Sequence, residues 1–81
     1  TSLYYPTMAI EEDIQGRVVL KFVIEKDGSV GDVKVMRGVH PLLDKEAIRV
    51  VKRLPQKFIP AKVGGEYVRS YMVVPVVFKL K

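Results

Sequence analysis

The chain has 81 residues, of which 48% are hydrophobic, and a formal net charge of +5. That length gives one domain with a thin core, because such a chain buries only about 60% of its unfolded surface. No run approaches the roughly 20 apolar residues of a membrane span, and the absence of cysteine excludes disulfides and thiol chemistry.

The chain does not begin with Met and shows no signal peptide, so it is expected to be part of a longer protein. Residues 1–16 read as a lead-in to a core spanning 17–81, the whole forming a single domain. Tyr5-Pro6 sets an extended or turn geometry. Thr7 to Ile14 is expected to form a short helix with Met8, Ile10 and Ile14 as its apolar residues, ended by Gly16 as a cap. From Arg17 to Lys26 the pattern alternates: Val18, Leu20, Phe22 and Ile24 face one side, and Arg17, Lys21 and Glu25 the other. Asp27-Gly28 is a strong turn signal, and a second strand follows from Val30 to Arg37, with Gly31 marking a bulge. The two strands make an antiparallel hairpin.

Pro41 suits the first turn of a helix, where its missing N–H costs nothing. Leu43, Ala47, Val50, Val51 and Leu54 then recur at helical spacing, and Asp44 and Glu46 near the start and Lys52 and Arg53 near the end match the helix dipole. Pro55 stops the helix, and Gln56 to Glu66 reads as a loop pinned to the core by Phe58 and Ile59. Tyr67 to Lys81 reads as one long strand, with Val68, Met72, Val74, Val76, Phe78 and Leu80 forming an apolar row. At about 3.4 Å per residue it would run about 50 Å, too far for a small domain to pair internally. Some of its backbone N–H and C=O groups must face water or another chain. The expected fold is α+β: a three-stranded antiparallel sheet with helices on one face, in the order short α, β, β, α, β.

The ordered set Tyr5-Pro6, Gly16, Val18–Ile24, Asp27-Gly28, His40-Pro41-x-Leu43-Asp44-x-Glu46-Ala47, Pro60-Ala61 and Val74-Pro75-Val76-x-Phe78 resembles the C-terminal domain of the TonB family. The likeness runs over nearly the whole chain, although Phe58 stands where many members carry Trp and Tyr4 where some carry Gln. The resemblance implies the periplasmic domain of an energy transducer anchored in the inner membrane of a Gram-negative bacterium. It implies ExbB and ExbD as partners of the region before Thr1. It also implies that the domain grips the TonB box, a short segment of outer-membrane transporters, as a strand added to the last strand. The residues expected to carry that grip are Tyr67, Val68, Arg69, Ser70, Tyr71, Met72, Val73 and Val74, with lead-in contacts at Tyr5 and Pro6. Pro75 removes one donor, so if it faces the outer edge the peptide must lie N-terminal to it.

Catalysis is not expected. His40, the single histidine, precedes a proline at a helix start and reads as a structural or capping group. Glu11-Glu12-Asp13 reads as a solvated face rather than a metal site, and no cofactor is implied. Two rival readings remain at this level. A basic sheet bearing Tyr67 and Tyr71 could stack bases, but the spacing of an RNA-binding sheet is absent and no nucleic acid is expected. An open face with Val19, Val23, Tyr71, Val73 and Val77, beside a bare edge, makes the other candidate an interaction or dimerisation module fused to another protein, with a homodimer as its assembly.

Overall fold

The two-residue alternation of Gly16–Ile24 makes a strand with one apolar face, and in the computed structural model this strand, β1, lies at the centre of the sheet. The structure describes residues 3–54 and 57–80. Asp27-Gly28 turns the chain into β2, Val30–Arg37. The Asp27 carboxylate accepts from the Ser29 amide at 3.0 Å and its hydroxyl at 2.6 Å. Gly28 takes a φ of +87°, where a side chain would be strained and would meet the Phe58 carbonyl.

The register between β1 and β2 shifts twice. One shift lies at the expected bulge, although Asp32 rather than Gly31 takes the left-handed φ of 47°. On its other side β1 pairs antiparallel with a strand spanning Ser70–Phe78.

The long helix spans Pro41–Lys52. His40 caps it, its Nδ1 accepting from the Leu42 amide at 3.1 Å. Leu43, Ala47 and Val51, four residues apart, are buried against the sheet. The expected stop at Pro55 lies outside the described residues. The lead-in helix is shorter than its apolar pattern suggested, covering only Thr7–Glu11. Asp13 leaves it at a φ of 60°, and Gly16 is the first residue of β1 rather than a cap. One turn can press only a small residue inward: Ala9 is fully buried, whereas Met8 and Ile10 are exposed. Both helices are α1 and α2 in chain order.

The core joins Val18, Leu20, Phe22 and Ile24 of β1 to Leu43, Ala47 and Phe78. Tyr5 meets Phe78 edge-on at 5.5 Å between ring centroids, and Phe58 meets Phe22 at 5.6 Å. Ile59, expected beside Phe58 in the core, is 87% exposed.

The single strand expected from Tyr67 to Lys81 is interrupted at Arg69. β1 ends at Ile24, opposite Ser70, so the chain before Ser70 has no partner in the main sheet. Gly64 and Gly65, with φ of 58° and 83°, instead fold that stretch into a hairpin of Ala61–Val63 (β3) and Glu66–Val68 (β4). The strand Ser70–Phe78 is therefore β5, and the main sheet runs β2-β1-β5. The molecule is long and narrow, 51 × 22 × 19 Å.

Glu46 is the one buried acidic side chain among the described residues. It accepts from the Tyr4 amide at 2.6 Å and from Arg49 at 2.8 and 2.7 Å, tying the lead-in to α2. The Arg49 hydrogen bonds hold its carboxyl below the usual carboxylate range against the opposing effect of burial. A depressed folded pKa contributes stability that is complete above the unfolded value of about 4.3 and lost as pH falls through the folded value. Glu46→Gln is expected to cost about 1–2 kcal/mol at neutral pH. Urea titrations should show the gap from wild type closing in acid. A gap as wide at about pH 2.5 as at neutrality would contradict the linkage.

Candidate functional site

β5 is an edge strand, so one side of its backbone is bonded to β1 and the other is free of partners among the described residues. Pro75 shows which groups lie on which side. The β1–β5 register runs without a shift from Gly16 opposite Phe78 to Ile24 opposite Ser70, straight through Val19 opposite Pro75. An unbroken ladder leaves the proline's missing donor on the outer side. Alternation then turns the N–H groups of Ser70, Met72, Val74 and Val76 toward β1, and those of Tyr71, Val73 and Val77 outward.

Side chains alternate in the perpendicular direction. Met72, Val74 and Val76 pack on the core, and Tyr71 and Val73 stand exposed on the face that no helix covers. The Lys21 ammonium sits 4.5 Å from the centre of the Tyr71 ring.

The structure distributes the expected grip residues over two elements. Tyr67 and Val68 lie in β4, opposite Lys62 and Ala61 of β3. Arg69 joins the elements, its guanidinium 2.8 Å from Glu25 and 3.6 Å from Asp32. Ser70 to Val74 form the first half of β5. Tyr5 is half-buried against Phe78, with its hydroxyl donating to the Ile14 carbonyl, and Pro6 lines a hollow with Tyr4 and Leu42. The lead-in thus meets β5 at its C-terminal end, beyond Pro75.

Two features escaped sequence reasoning. The β3–β4 hairpin was signalled by Gly64-Gly65 between Val63 and Tyr67, but the three-residue strands are too short to show alternation. The second is the gathering of basic residues that look scattered along the chain. Arg17 and Lys21 on β1 and Lys34 and Arg37 on β2 share the uncovered face of the sheet. Among the described residues no group of three His, Cys, Asp or Glu could hold a metal ion.

A family model described as the Gram-negative bacterial TonB protein C-terminal matches residues 1–80. A curated relative, protein TonB2 of Pseudomonas aeruginosa, is 32% identical over 77 residues, which cover 94% of this chain and 28% of the relative. The chain thus spans a little over a quarter of that relative's length. Two solution NMR structures of the Helicobacter pylori TonB C-terminal domain are also similar. The first has a TM-score of 0.72 and 29% identity, covering 96% of this chain and 80% of that one. The second has a TM-score of 0.66 and 27% identity, covering 98% and 72%.

Proposed function

The chain belongs to the TonB C-terminal domain family, and from that membership we propose that it takes up the TonB box of an outer-membrane transporter as an added strand on the outer edge of β5. It is read as a single periplasmic domain, its parent protein anchored in the inner membrane and coupled there to ExbB and ExbD. Its role is mechanical, passing force derived from the proton gradient to the transporter, and it does no covalent chemistry.

The open edge of β5 is the observation that carries this reading. An extended peptide laid there meets outward donors at Tyr71 and Val73, and Pro75 interrupts the donor row before Val77. The hairpin extends the row. In a two-residue hairpin the flanking pair, Val63 and Glu66, is hydrogen-bonded, so even-numbered residues of β4 turn toward β3. The same parity turns β5 toward β1. A chain extended through Arg69 would carry this parity across, putting β3 on the β1 side and leaving the outer edge open back to Tyr67. Donors at Tyr67, Arg69, Tyr71 and Val73 then face the peptide.

Each main-chain bond contributes about 1 kcal/mol net, so four to six offset much of the cost of ordering the peptide while leaving release fast. Bonds lying across the direction of pull load together. The test is an NMR titration with a synthetic TonB-box peptide. Amide shifts are expected to centre on Tyr67 to Val74. Shifts confined to the hairpin of β1 and β2 would dismiss the reading.

A further inference from the structure

We propose that the uncovered face of the sheet is a second docking surface, for an acidic amphipathic helix of a partner protein. Both helices of this chain pack on the opposite face, and a sheet with a partly apolar face is commonly completed by a layer of helix.

The charge on this face is not balanced within the chain. Lys21 lies directly opposite Lys34 across β1 and β2, an arrangement of like charges that is unfavourable by itself. Arg37 lies opposite Val19, and Arg17 is two residues along β1 on the same side. Neither arginine forms an ion pair among the described residues. Both arginines line a hollow of about 640 Å³ whose apolar lining is Val19 and Val39. Two arginines beside an apolar lining suit a carboxylate side chain.

A second hollow, of about 320 Å³, lies on the same face, where Met36 and Tyr71 flank Val23. Val23 is only 3% exposed yet belongs to none of the packing beneath the helices. Met36 and Tyr71, both exposed around it, offer the apolar seat. Val19 and Val23 mark the two hollows, about 13 Å apart along β1. A helix carrying Glu and Leu eight positions apart spans about 12 Å and reaches both.

The far end of the face argues against a membrane. Glu25 and Asp32 both pair with Arg69 there, so that end of the face presents two carboxylates. An anionic bilayer lying flat across the face would meet both carboxylates. A helix whose acidic end lies over Arg17 and Arg37 brings only its apolar end near Asp32, which lines the second hollow beside Lys21 and Lys34.

The test uses a synthetic, acidic, helix-forming peptide about 16 residues long with Glu and Leu eight positions apart, and a scrambled peptide of the same composition. Addition to the labelled domain should shift the amides of Arg17, Val19, Lys21, Val23 and Arg37. Joint Arg17→Glu and Arg37→Glu substitution should weaken binding at least about tenfold, and the scrambled peptide should bind several-fold more weakly. Both arginines are exposed, and Arg17→Gln with Arg37→Gln gives the same readout if charge reversal disturbs folding. No shift at millimolar peptide, equal binding of the scrambled peptide, or unchanged binding by the substituted domain would overturn the proposal. So would phosphatidylglycerol vesicles perturbing this face where the peptide does not. Uptake of a TonB-box strand at Tyr71 and Val73 should survive the arginine substitutions, so the two surfaces fail or stand separately.

Discussion

Met72→Pro is expected to strip the domain of much of its stability, whereas Val73→Pro should leave it folded and weaken its ability to accept a strand. The residues are adjacent, but alternation sends their N–H groups to opposite sides of β5. Met72 faces Phe22 across the ladder with β1, in the middle of the sheet. Proline there deletes a ladder bond, orphans the facing acceptor on β1 at a cost of about 1–3 kcal/mol, and forces its ring against that strand. A domain of this size holds roughly 0.05–0.15 kcal/mol per residue, so a loss on that scale removes much of its stability. The side chain adds to the cost, since Met72 packs against the core.

Val73 lies opposite Lys21, and its N–H points outward as the missing N–H of Pro75 does. Its side chain is 57% exposed, so a proline there neither opens the core nor breaks the β1 ladder. It deletes one peptide contact worth about 1 kcal/mol and places a ring in the path of the incoming strand. Affinity for a TonB-box peptide should fall at least about tenfold. Circular dichroism melting and a peptide titration on each variant separate the outcomes. A Met72→Pro domain as stable as wild type would mean that the ladder parity is reversed. Unchanged affinity in Val73→Pro would take the peptide off this edge.

Phe78→Ala should cost about 3–5 kcal/mol, the range for a large aromatic removed from a core. Phe78 is 1% exposed, lies opposite Gly16 at the end of β1 and holds the Tyr5 ring against it. The cavity would therefore free both the end of the sheet and the lead-in. At about 4–8 °C per kcal/mol for a domain of this length, the melting temperature should fall by at least about 12 °C. Val77, its neighbour, is 53% exposed on the opposite face, and Val77→Ala should stay within about 0.5 kcal/mol of wild type. Equal effects from the two substitutions would show that the strand does not alternate as described.

The same alternation explains how much of the site was legible beforehand. The apolar row Met72, Val74, Val76 and Phe78 is a local property of the chain, and all four pack where the two-residue period puts them. The cap at His40 and the turn at Asp27-Gly28 were equally visible, because each depends on residues within a few positions. The apolar residues of the lead-in misled, because a helix of five residues has too short a face for periodicity to say which side is inward. Met8 and Ile10 lie exposed while Ala9 enters the core. Ile59 misled as well: hydrophobicity marks a residue that can be buried, but here Phe58 turns onto Phe22 and Ile59 turns out to solvent.

By itself the sequence determined the α+β class, the hairpin of the first two strands, the helix and the inward face of the final strand, because those depend on short-range periodicity and turn chemistry. Its ordered motifs also carried the family. Three matters were decided only by the tertiary structure. The long last strand divides at Arg69 because β1 ends opposite Ser70, and the length of a partner strand is not written into the strand it pairs with. Pro75 points outward because the β1 ladder passes through it unbroken, a fact about pairing rather than composition. Basic residues scattered along the chain meet on one face, where Lys21 stands opposite Lys34, because register brings together residues that local patterning cannot relate.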